Sequence, residues 1–98
     1  MWRQGDVLMA RINMIPPNAK RLSHLVLAEG ERTGHRHRIE KSDSAALFEY
    51  EESLYLGVFA NEVSVVHEEH GAITLGRGMY RIWMQREFVP HGSRQMAD

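Results

Sequence analysis

The sequence predicts an all-β fold: a small single-domain barrel or jelly roll of about seven to eight short strands. Three observations predict it. Apolar residues recur mostly at every second position. Turn-forming residues interrupt that pattern at short, regular intervals. No segment carries the stripe that an amphipathic helix needs to bury one face.

The elements follow in order. Gly5-Asp6 opens a first strand, Asp6 to Ile15, carrying Val7, Leu8, Met9, Ile12, Met14 and Ile15. Pro16-Pro17-Asn18 ends it, because proline cannot donate to a ladder and asparagine favours turns. Lys20 to Leu27 is a second strand, with Leu22, His24 and Val26 on one face, so His24 reads as a core histidine. Ala28 to Gly34, with two glycines and two glutamates, reads as a turn or bulge. His35 to Glu40 is extended again, and Lys41-Ser42-Asp43-Ser44 is a polar turn. In Ala45 to Glu51, Phe48 and Tyr50 alternate with Glu49 and Glu51, which turns those acids outward. Leu54 to Ala60 is apolar, Asn61-Glu62 breaks it, and Val63 to Val66 resumes. Gly71 to Leu75 and Met79 to Val89 are the last strands, joined by Gly76-Arg77-Gly78. Residues 1–90 thus form one β domain, and 91–98 a polar tail.

Composition narrows the function classes. The chain has 98 residues, a net charge of −1, 43% hydrophobic residues and no cysteine. A near-neutral chain has no global attraction to nucleic acid or an anionic membrane. No apolar run approaches a membrane span, and Met1 to Asp6 lacks an apolar signal core, so the default expectation is cytoplasmic. Without cysteine there is no disulfide framework, thiolate zinc finger or cysteine nucleophile. Any metal must be held by nitrogen and oxygen.

Such ligands are present in two clusters. Thr33-Gly34-His35-Arg36-His37 and His67-Glu68-Glu69-His70-Gly71 hold four of the six histidines. Alternate positions of a strand share a face, so His35 and His37 can reach one metal, with Arg36 and Arg38 on the other side. Gly34 permits a tight bend before them. His67 continues the preceding strand. Glu68-Glu69-His70-Gly71 reads as a turn, with Gly71 able to take positive φ, and it can fold His70 back toward His67. The expected ligands are His35, His37, His67 and His70. Imidazole sites suit zinc first, and also iron, nickel, manganese or copper. Glu40, Glu68 and Glu69 are candidate oxygen ligands or supports for an imidazole.

Two resemblances follow from these motifs. Gly30 to Glu40, with His35-x-His37, is similar to the first metal motif of the cupins, small jelly-roll proteins that bind a metal through histidines and a glutamate. That resemblance implies His35, His37 and His67 as ligands and Glu40 in the glutamate's role, although strand parity puts Glu40 opposite His37. The whole chain also resembles a set of short bacterial proteins of unassigned function. Their pattern runs through Gly5-Asp6-Val7, Leu27 to His37, His67 to His70, Gln85-Arg86-Glu87-Phe88 and Ala97-Asp98. It implies that both histidine clusters belong to one design.

The leading expectation is therefore a small metal-binding protein with a small-molecule ligand or hydrolytic or oxidative chemistry at the metal. Glu68 or Glu69 would be the general base. Arg32, Arg36, Arg38 and Lys41 form a basic stretch in which Arg36 and Arg38 could hold an anion bidentately. The alternative is a non-catalytic interaction module, a homo-oligomer whose metal, if any, is structural. Trp2 and Trp83 read as core or interface anchors. Arg86 could brace the site through an acid, and His91 has no role.

Overall fold

The computed structural model describes residues 1–30, 33–41 and 43–85, and its regular elements are strands. They are β1 (Trp2–Gln4), β2 (Val7–Ile12), β3 (Lys20–Arg21), β4 (Val26–Glu29), β5 (Arg36–Ile39), β6 (Ala45–Tyr50), β7 (Ser53–Val66) and β8 (Ile73–Met84). All pair antiparallel in one sheet, along the path β1-β2-β8-β7-β5-β4. A branch adds β6 to the first half of β7, and β3 to β6. Among the described residues no helix is long and apolar enough to cross a membrane.

The all-β class agrees with the sequence, but the closed barrel does not. The pairing path ends at β1 and β4, and the branch ends at β3; among the described residues no pairing joins these ends. The reason is length. These strands have 3, 4 and 2 residues, too few to supply a closing ladder. The eight strands make one sheet that does not close into a barrel.

Several element boundaries also differ. Trp2–Gln4 is a strand, joined to β2 by a two-residue turn at Gly5-Asp6 with Gly5 at φ 58°. Lys20 to Leu27 splits into β3 and β4, which pair with different partners. His24, between them, is exposed and is no core residue; its Nδ1 accepts the Val26 N–H at 3.1 Å. The expected strands on either side of Asn61-Glu62 are one strand, and so are those around Gly76-Arg77-Gly78.

The long hairpin β7–β8 explains that continuity. Val58 pairs with Gly78 and Glu62 with Gly76, so three residues of β7 stand opposite Arg77 alone. This bulge changes which side chains face inward. Before it, buried residues fall at even positions (Leu56, Val58, Tyr80, Ile82); after it, at odd ones (Val63, Val65, Leu75). A straight strand of β7's length would measure about 43 Å, longer than the 38 Å longest axis of the molecule. The bulge is where β7 can bend. Each fully buried side chain such as Leu47, Leu56 or Leu75 contributes about 1.5–3 kcal/mol relative to exposure.

At the other end of β7, Glu51 and Glu52 form a two-residue turn, both at positive φ (49° and 67°). They, Glu49 and Glu62 are exposed, as outward-facing acids should be. The expectations for Arg32, Arg86, Glu87, His91 and the 91–98 tail lie outside the described residues.

Candidate functional site

The two histidine clusters meet, and strand register brings them together. β5 pairs with β7 through Ile39↔Val65 and Arg38↔Val66. Continued one residue further, that register sets His37 across from His67. It then sets Arg36 across from Glu68, and His35 across from Glu69. The contacts follow this order. The His37 and His67 rings stack, centroids 4.1 Å apart. The Arg36 N–H donates to Glu68 Oε1 at 2.9 Å. His35 Nδ1 lies 3.5 Å from Glu69 Oε1.

Parity decides which of these residues face inward. His37 and Ile39 are buried on β5, while Arg36 and Arg38 are exposed. After the bulge, Val63 and Val65 set the inward face of β7, and His67 continues it. The rings of His35 and His67 meet edge-on at 5.6 Å, and those of His67 and His70 lie 4.6 Å apart, tilted by 39°. His70 also lies 5.9 Å from His37, nearly parallel to it. His67 is thus the centre of the group, touching the other three rings.

Gly34 enters β5 at φ 73°, a conformation that suits glycine. Gly71 is not among the glycines with positive φ, so the 67–72 connection turns without it. Its shape is set by other bonds. The Glu69 N–H donates to His67 Nδ1 at 3.0 Å. A neutral His67 that accepts at Nδ1 carries its proton on Nε2. Gln4, which is 2% exposed, donates to Val65 O at 2.9 Å and to Gly71 O at 2.8 Å, and its Oε1 lies 2.9 Å from His37 Nδ1.

Among the described residues, His35, His67 and Glu68 can each offer a ligand atom within 4.8 Å of the others. Of the four expected histidine ligands this group holds His35 and His67, and it adds Glu68, which the sequence offered as an oxygen ligand, a support or a general base. His37 and His70 flank it as ring neighbours. Glu40 is exposed at the end of β5 and does not belong to the group. The Arg36 N–H holds the Glu68 carboxyl below its usual range; Glu68's own N–H and the nearby His35 and His67 act in the same direction. Glu68 therefore stays ionised to a lower pH than an ordinary glutamate.

Arg36 and Arg38 lie on the outward face of β5, as strand parity requires. Arg36 Nε pairs with Glu29 Oε2 at 3.3 Å, on the face opposite His37. Arg38 shares that exposed face. The residue missed by sequence reasoning is Gln4. The signal was Gly5-Asp6, a dipeptide suited to a two-residue hairpin, which would have made Trp2 to Gln4 a strand.

No curated protein and no solved structure matches this chain. The family comparison agrees with the coarser of the two resemblances, a family without an assigned activity, and does not extend to cupins. Residues 3–85 match the family described as Domain of unknown function (DUF8820), and the chain belongs to that family.

Proposed function

We propose that the protein binds one divalent metal ion at the junction of β5 and the β7–β8 connection. His35, His67 and Glu68 are the primary ligands, and His37 and His70 are the nitrogens next in line. The observation that carries this reading is the approach of three ligand atoms within 4.8 Å. Ligands about 2.0–2.2 Å from a zinc ion stand about 3–3.5 Å apart, so small side-chain rotations close the set. Zinc heads the candidates; two nitrogens and one carboxylate oxygen also suit iron, nickel or manganese. Three protein ligands leave a position for water or a small molecule, where the metal would act as a Lewis acid. The shared element with cupins is the His35-x-His37 spacing; the carboxylate comes from a different segment.

Elemental mass spectrometry on untagged protein tests the reading. About one metal per chain is expected, lost in His67→Ala and reduced in His35→Ala and Glu68→Ala. Protein that stays metal-free after incubation with zinc, iron, nickel and manganese would sink it.

A second reading, a homo-oligomeric interaction module, has its own observation. Ile15, Phe48, Phe59 and Met79 line an apolar groove of about 490 Å³ over Gly57, with Phe59 53% exposed. Exposed apolar patches mark interaction sites. Thermal midpoint and molecular mass, each with and without chelator, separate the two. A chelator-dependent mass favours a structural metal in an assembly; a constant mass with an exchangeable metal ligand favours the first reading.

A further inference from the structure

Gln4 is a polar side chain in a three-residue strand, almost fully buried, and its amide touches both halves of the histidine group. Its Nε2 donates to two backbone carbonyls, Val65 O at 2.9 Å and Gly71 O at 2.8 Å. Carbonyls only accept. The amide therefore has one orientation: turned over, it would set Oε1 against two acceptors. With Nε2 so placed, Oε1 faces His37 Nδ1 at 2.9 Å. An amide oxygen also only accepts, so Nδ1 must donate. His37 is then the Nδ1–H tautomer, and the lone pair of the neutral ring is on Nε2.

We infer that Gln4 is a positioning residue of the histidine site: it presets His37 with its lone pair on Nε2 and clips β5 to the connection that carries His67 and His70. The two carbonyls show the second half of this role. Val65 stands two residues before His67, and Gly71 directly follows His70. One side chain from β1 thus ties down both ends of the segment while orienting the ring opposite it. Partners of this kind hold ligand histidines in one tautomer and orientation in metal sites generally. The inference rests on the metal reading for its functional meaning, but the tautomer does not depend on any metal.

The test is therefore made first on metal-free protein. Two-bond proton–nitrogen correlation spectra of ¹⁵N-labelled protein assign the tautomer of each imidazole. His37 is expected in the Nδ1–H form, and His67, whose Nδ1 accepts from Glu69, in the Nε2–H form. In Gln4→Met, similar in size but without the amide, His37 should lose its single tautomer. Zinc affinity should then fall about 10–100-fold. Leu47→Ala, which empties buried space on β6, controls for lost stability and should leave zinc affinity unchanged. A wild-type His37 in the Nε2–H form overturns the inference, and so does an unaltered His37 signature in Gln4→Met. If Gln4→Met does not fold, the wild-type tautomer alone decides. A preset tautomer in a protein that takes up no zinc overturns the positioning role through the metal reading, and the two failures are told apart by the tautomer signal.

Discussion

His37 and His67 stack on one another, yet they are held in opposite ways. His37 is fully buried on a regular strand, with its Nδ1 against an amide that comes from β1. His67 is half-buried, one residue beyond the end of β7, and its Nδ1 is tied to the N–H of Glu69 two residues on. Long-range packing fixes the first ring; its own turn fixes the second. The chemical consequence follows from where each lone pair sits. In His37 the Nδ1 proton is held by Gln4, which places the neutral ring's lone pair on Nε2. His67 has its lone pair engaged by the backbone. Binding a cation through His67 either displaces the Glu69 N–H or moves the ring proton to Nδ1, which ends that bond too. The group thus has a rigid side on β5 and an adjustable side on the connection.

The largest test of this contrast compares two alanine substitutions. His37→Ala leaves a cavity and strips a buried amide oxygen of its donor, so it should cost about 2–4 kcal/mol of stability. His67→Ala removes a half-buried ring at a strand end and should cost less than about 1 kcal/mol. Metal uptake should show the reverse emphasis, since His67 belongs to the close ligand group and His37 flanks it. Urea unfolding beside zinc titration reads both quantities. Equal stability losses would break the contrast.

Gly34→Ala loads the rigid side alone. Among the described residues, its chain neighbours aside, no atom stands within 4 Å of the added Cβ, so the cost is the backbone conformation at φ 73°. An L residue there costs about 1–2 kcal/mol. His35, the next residue, would shift with it, so a moderate loss of zinc affinity should accompany the loss of stability. A substitution silent in both measurements would mean that Gly34 does not hold the entry to β5. On the adjustable side, zinc titration followed by amide spectra should move the Glu69 N–H strongly and leave the Gln4 side-chain amide in place. Chelator should restore both spectra. A static Glu69 signal at full loading would remove the adjustable half of the argument.

The site was more legible in the sequence than the architecture around it. The period of two in His35-Arg36-His37-Arg38 set the inward and outward faces of β5, because alternation needs only local geometry. The meeting of His67 with His37 depends on the register of β5 against β7, and no local pattern encodes it. Asn61-Glu62 and Gly76-Arg77-Gly78 looked like breaks because turn formers also populate bulges; only pairing distinguishes the two. The same bulge moves the inward set to odd positions and so delivers His67. The closed barrel failed on the shortness of β1, β3 and β4, which alternation does not report. Gln4 went unread because its partners are Val65, Gly71 and His37, all remote in sequence. Glu68 was legible as a carboxylate, but its nearness to His35 and His67 came from register.

Glu69 allows the smallest and sharpest test, because its backbone and side chain serve different sides of the contrast. Its N–H holds His67, and its carboxylate lies 3.5 Å from His35 Nδ1. Glu69→Gln changes the second interaction and keeps the first. The carboxylate is mostly exposed, so its contact with His35 contributes little to the fold, and stability should change by less than about 0.5 kcal/mol. Zinc affinity should fall by about tenfold, the lower end of the effect of a group that orients a ligand. The amide shift of residue 69 on zinc binding should persist, since it reports the backbone bond to His67. Two results would redraw the site. A loss as large as that of Glu68→Ala would make Glu69 a ligand rather than a support for His35. A vanished amide shift would mean that the turn is ordered by the carboxylate, and that His67 is held no more locally than His37.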